Sequence, residues 1–260
     1  MMLYNKYIKD YIGAVQMLEF VKKIVAKQND NANCGGVTVA FLGDSVTQGC
    51  FELYRKSDTA IETTFDKNCA YHNYFARIFT AICPSVPVNI INAGISGGTA
   101  PKAVERLQRD VLRHNPDLTV VCFGLNDSYN GIENINDYLD ALNEIFDRVR
   151  ETGSELIFLT PNMICTEVST EIRDEIMLEA CTDICEKCNK DNSIDEYIKA
   201  AKELCQNKNI PVCDCYAKWK RMHECGIDIN SLLANRINHP AKEMNWLFAH
   251  SLVETIFNAE

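Results

Sequence analysis

The sequence predicts an α/β fold: a five-stranded parallel sheet between two helical layers, doubly wound in the flavodoxin-like manner. Three observations lead there. Five short strand-like runs alternate with helical patterns, and alternating βαβα implies parallel strands with helices on both faces. The first run, residues 37–42, is apolar and β-branched and carries no charge until Asp44, as a strand covered on both faces reads. Right-handed crossovers between such strands then favour the doubly wound order.

The elements follow in chain order. Residues 1–30 read as an extra amphipathic helix and residues 28–36 as its linker. We expect residues 1–36 to pack on the domain formed by residues 37–260, giving a single domain overall. Strands are expected at residues 37–42, 88–92, 118–123, 155–160 and 210–213. Helices are expected at residues 71–82, 99–114, 136–152, 193–207 and 242–257. Pro101 close behind Thr99 is an N-cap followed by a first-turn proline. Gly153 supplies a stop for the helix ending near Thr152. Residues 50–70 are polar and without strong periodicity, and read as a loop over the strand ends. Residues 166–192 read as a charged helical insertion between the fourth and fifth strands.

Composition narrows the function. The chain of 260 residues is 47% hydrophobic and 24% charged, with a net charge of −10, which allows a sizeable core and disfavours nonspecific attraction to nucleic acid. The N-terminal residues mix charges with apolar residues and lack the uninterrupted apolar centre of a secretory signal. No stretch approaches the roughly 18–20 apolar residues of a membrane span. A cytoplasmic location is the expectation. The cysteine count, 13, is high and odd, and Cys83, Cys122 and Cys213 fall inside core-like segments. Most therefore read as reduced, small buried hydrophobes rather than a disulfide framework.

The chemistry lies at the strand ends. The first strand runs into Gly43-Asp44-Ser45. The second ends in Asn92-Ala-Gly-Ile-Ser-Gly-Gly-Thr99, the third in Gly124-Leu-Asn-Asp127, and late in the chain comes Asn235-Arg-Ile-Asn-His-Pro240. Ligands of open α/β sheets bind beyond the carboxyl ends of strands. A serine there needs a base, and a tetrahedral oxyanion needs preorganised donors. A P-loop is excluded because the Gly-Lys-Ser/Thr ending is absent.

These four segments, in this order and at these strand ends, resemble blocks I, II, III and V of the SGNH (GDSL-type) hydrolase superfamily, over roughly residues 37–257. The resemblance implies that Ser45 is the nucleophile and His239 its general base. It implies an oxyanion hole formed by the backbone N–H groups of Ser45 and Gly97 and the side-chain amide of Asn126. It implies ester hydrolysis through an acyl-enzyme with no metal or organic cofactor. The expected substrate is a small-molecule or glycan ester with a short acyl group, acetyl being favoured. Asp44, Tyr54, Arg55 and Tyr129 are candidate substrate contacts, and the Trp246 region is a further aromatic candidate.

One position departs from the pattern. The family's aspartate three residues before the histidine is Arg236 here, so the group orienting His239 stays open between a backbone carbonyl and a carboxylate such as Asp214 or Asp228. Two alternatives also stay open. With that acid missing, the chain could bind a glycan or a partner without turnover. Cys181-x3-Cys185-x2-Cys188 has the spacing of a cluster-binding motif and could hold a metal. Ser45 read alone would serve equally as a helix cap.

Overall fold

A computed structural model describes residues 17–189 and 193–259. Residues 1–16 of the expected N-terminal helix lie outside the described residues, as does the side chain of Cys188. Among the described residues the sheet has five strands: β1 (Val37–Gly43), β4 (Val88–Gly94), β5 (Leu118–Cys122), β6 (Glu155–Leu159) and β7 (Val212–Cys213). Their spatial order is β4-β1-β5-β6-β7, all parallel. This is the flavodoxin-like order, with the first strand in chain order flanked by the second and third.

Alternation along the strands builds two cores. Val37, Val39 and Phe41 of β1 face one layer with Leu118, Val120, Ile157 and Leu159. Ala40 and Leu42 face the other with Val121 and Phe158. The first layer is covered by α1 (Glu19–Asn29), α3 (Tyr71–Ile82), α9 (Cys215–Glu224) and α10 (Asn245–Asn258). The second is covered chiefly by α4 (Ala100–Asp110), α6 (Ile135–Glu151) and α8 (Ser193–Asn207). On α3 the buried residues Tyr71, Tyr74, Phe75 and Phe79 recur at helical spacing, each large apolar side chain contributing about 1.5–3 kcal/mol by its burial. Phe20, Val21 and Ile24 bring α1 into the same core.

The structure departs from expectation in four places. Residues 50–70 are not a loop: Cys50–Ser57 (β2) and Ala60–Phe65 (β3) form an antiparallel hairpin. Neither strand has a consistently buried face, so no two-residue alternation marks them in the sequence. The helix expected at residues 99–114 breaks at Val111, after which Leu112–His114 is a 3-10 turn closed by Asn115 at φ 47°. The last strand shortens to Val212–Cys213, while the helical insertion expected at residues 166–192 holds α7 (Glu175–Asn189). Two four-residue helices, α2 (Ser45–Gln48) and α5 (Leu125–Ser128), also escape prediction, being too short to display a period. Both begin at the carboxyl ends of central strands.

Candidate active site

The turn from β1 into α2 places Ser45. Asp44 precedes the helix, and its carboxylate accepts the Val46 N–H at 2.9 Å, so Asp44 takes the capping role. The Ser45 hydroxyl oxygen lies 3.0 Å from Nε2 of His239. Both residues are buried, at 4% and 5% exposure, which strengthens their interaction by excluding water.

The other ring nitrogen answers the question left by Arg236. His239 Nδ1 lies 2.9 Å from the carbonyl oxygen of Phe51, at the start of the hairpin. A backbone carbonyl only accepts, so the proton sits on Nδ1 and the Nε2 lone pair faces Ser45. Asp214 instead accepts the Ala217 N–H at 3.1 Å, and Asp228 the Asn230 N–H at 2.9 Å. Arg236 turns to Glu171, 2.7 Å away, from a backbone at φ 58°. The loop is organised by buried Asn235, whose Oδ1 accepts N–H groups from Ile237 (3.0 Å), Asn238 (2.9 Å) and His239 (2.9 Å).

Opposite lies the turn after β4. Gly98 N–H donates to Ile95 O at 2.9 Å, and Gly97 has φ 70°. A positive φ at the third position makes this a type II turn, which is why glycine stands there. A Cβ on Gly97 would meet nothing within 4 Å, so the turn faces open space. From α5, Asn126 Nδ2 donates to Gly98 O at 2.9 Å, bringing Asn126 onto the Gly97 turn. The amide carries two N–H donors, so this bond uses one of them. Asp127, buried beside it, accepts N–H groups from Ala100 (2.8 Å) and Gly124 (3.0 Å). It thereby joins the second and third strand-end segments, a role its position beside Asn126 did not announce.

Burial governs the electrostatics. It pushes the Asp44 carboxyl up to about 7, with the charge of Asp127 adding to the effect, and pushes Asp127 up to about 6. Burial also holds His239 below its ordinary 6.5, partly opposed by the Phe51 carbonyl. The His239 ring therefore stays neutral further into acid than a free imidazole does. The acid limb of kcat/KM is expected below pH 6.5 in a pH–rate profile. A limb near 7 that disappears in Asp44→Asn would trace the limb to Asp44 instead.

The remaining candidates are placed as follows. Asp44 is only 1% exposed. Tyr54 is half-exposed on β2, and Arg55 pairs with Asp58 at 3.2 Å and Asp174 at 3.4 Å. The Tyr129 hydroxyl donates to Asp183, while Lys187 lies 4.7 Å from the ring centroid and 2.8 Å from Asp183. Trp246 stacks on Tyr74 with centroids 4.3 Å apart, and Arg77 lies over both rings. Cys181 Sγ lies 3.9 Å from Arg236 O, and Cys185 Sγ lies 3.8 Å from Cys165 O. Among the described residues, no group of three or more His, Cys, Asp or Glu side chains is arranged to hold a metal ion. Among them, too, no helix is long and apolar enough to cross a membrane.

A parallel α/β/α sandwich whose first strand delivers a serine onto a histidine from the far end of the chain defines a serine hydrolase. The chain belongs to the GDSL-like lipase/acylhydrolase family, whose model matches residues 41–247. Over 92 residues it is 27% identical to an acetylxylan esterase of Geobacillus stearothermophilus; the match spans 35% of this chain and 40% of that protein's length. A solved structure of an acetylxylan esterase from that organism superposes with a TM-score of 0.62 at 20% identity, covering 85% of this chain and 94% of the other. A lipase/acylhydrolase from Enterococcus faecalis gives a TM-score of 0.62 at 21% identity, covering 85% and 95%. At identities this low the superpositions establish a shared fold and nothing finer.

Proposed function

We propose that the protein hydrolyses carboxylic esters of short acyl groups, acetyl on carbohydrate hydroxyls in particular, through an acyl-enzyme. The observation that carries the proposal is the line Ser45 Oγ, His239 Nε2, His239 Nδ1, Phe51 O, with contacts of 3.0 and 2.9 Å. Ser45 attacks the ester carbonyl carbon while His239 takes the hydroxyl proton. The Ser45 and Gly97 N–H groups and the second Asn126 amide hydrogen stabilise the oxyanion. His239 protonates the leaving alcohol, then deprotonates a water that attacks the acyl carbon, and Ser45 leaves as the restored hydroxyl. The preference for acetyl draws on the likeness to an acetylxylan esterase. Tyr54, Arg55 and Tyr129 remain candidate contacts for the alcohol side.

Two further parts of the reading stand beside it. The chain is read as a single domain, a reading supported among the described residues by α1, which shares its core with α3. The protein works in the cytoplasm, where its many unpaired thiols stay reduced. Binding without turnover drew its motive from the missing acid, and the Phe51 carbonyl weakens that motive.

The test is hydrolysis of p-nitrophenyl esters of increasing acyl length, with acetate release from acetylated xylooligosaccharides measured in parallel. We expect kcat/KM to fall at least about tenfold from acetyl to octanoyl, a loss of about 1.4 kcal/mol in transition-state stabilisation, and acetate to be released from the sugar. A profile that rises with chain length would overturn the short-acyl reading. A folded protein without turnover on any ester would restore the binding reading.

A further inference from the structure

We infer that Gln48 is a positioning residue that sets the oxyanion turn, an inference that rests on the esterase reading above. Gln48 closes the four-residue helix that Ser45 opens. Its side-chain oxygen accepts the Ser96 N–H at 2.6 Å. Its main-chain oxygen accepts from Asn92 Nδ2 at 3.2 Å, and Asn92 Oδ1 in turn accepts the Gly94 N–H at 3.0 Å. The two segments lie so close that a Cβ on Gly94 would stand 2.3 Å from Gln48 N. The turn that follows is thus held at its second residue by Gln48 and at its fourth by Asn126.

The reason such an anchor matters lies in Gly97. Type I and type II turns differ mainly by a flip of the central peptide, here the one carrying the Gly97 N–H. Glycine at the third position tolerates both. The residue that permits the productive orientation therefore does not enforce it, and contacts from outside the turn must choose. Gln48, at the Ser96 N–H, and Asn126, at the Gly98 carbonyl, pin the residues on either side of that peptide, and Gln48 does so from the same helix that carries Ser45. Misplacing a catalytic group by about 1 Å can cost about 10²-fold.

The test is steady-state kinetics on p-nitrophenyl acetate for the wild type, Gln48→Met, Gln48→Glu, Ser96→Pro and the double variant Gln48→Met/Ser96→Pro. Methionine keeps the length and removes the acceptor; glutamate keeps an acceptor. Proline removes the Ser96 N–H at the turn position where proline is favoured. We expect Gln48→Met to lower kcat about 10- to 100-fold with KM within about threefold. Gln48→Glu should recover kcat to within about threefold of the wild type. In the Ser96→Pro background, Gln48→Met should cost little more, as two halves of one bond require. Wild-type kcat in Gln48→Met, a loss confined to KM, an equal fall in Gln48→Glu, or full additivity with Ser96→Pro would each overturn the inference while leaving the esterase reading intact. If Gln48→Met does not fold, Gln48→Glu and Ser96→Pro still decide: the first must keep kcat and the second must lower it. No turnover in folded wild-type protein would overturn both readings.

Discussion

Ser45→Ala and His239→Ala are each expected to lower kcat on p-nitrophenyl acetate by about 10⁴-fold or more, and the double variant by little beyond either alone. In the proposed mechanism the two residues act as one unit: the hydroxyl is a poor nucleophile without the base, and the base has nothing to activate without the hydroxyl. Their 3.0 Å contact is made between buried groups. The residual rate would come from substrate binding and the oxyanion donors. The size of the His239 effect also tests the unusual orienter. A group that could donate to Nδ1 would favour the wrong tautomer. The Phe51 carbonyl cannot donate, so the productive tautomer is secured without an acid. What the carbonyl lacks is the negative charge that would stabilise the imidazolium, and that absence accords with an acid limb below pH 6.5. Single-variant kinetics check this, with circular dichroism confirming the fold. Turnover surviving Ser45→Ala would mean the nucleophile lies elsewhere.

Asn126→Ala is expected to lower kcat by about 10²- to 10³-fold with KM little changed. One oxyanion donor is typically worth that much, because the interaction strengthens as charge develops on the oxygen. Here the substitution also deletes the bond to Gly98 O that steadies the Gly97 turn, which places the expectation toward the larger end. Asn126→Asp should do no better, since it replaces a donor with an acceptor facing a developing negative charge. Both variants should fold, because Asn126 is only partly buried, whereas Asp127 beside it carries the bonds to Ala100 and Gly124. A kcat within about threefold of the wild type in Asn126→Ala would remove Asn126 from the oxyanion hole.

The alternation of strand and helix determined the sheet and its order, because hydrophobic periodicity is a local property that tertiary packing here reinforces. The helices Tyr71–Ile82 and Ser193–Asn207 match the expected bounds, each running for more than three turns and carrying a buried stripe. The segments Gly43–Ser45, Gly94–Gly98, Asn126 and Asn235–His239 were legible too, as chemistry-bearing residues crowded at strand ends.

Other features depended on contacts that sequence spacing does not encode. The hairpin formed by β2 and β3 has no strongly buried face, so no pattern announces it. Its entry point nevertheless supplies the carbonyl that holds His239, across a separation of 188 residues. A backbone carbonyl belongs to every residue and leaves no mark in a sequence, so the orienter stayed undecided among carbonyls and carboxylates. Gln48 and Asp127 were equally silent, because their work is to accept N–H groups from segments that only folding brings alongside. What the sequence by itself determined is the scaffold and the candidate nucleophile, base and oxyanion donors, since these follow from local periodicity and residue chemistry. Only the tertiary structure decided how they are aimed, because a hydrogen bond depends on distance in space and its partners can lie anywhere along the chain.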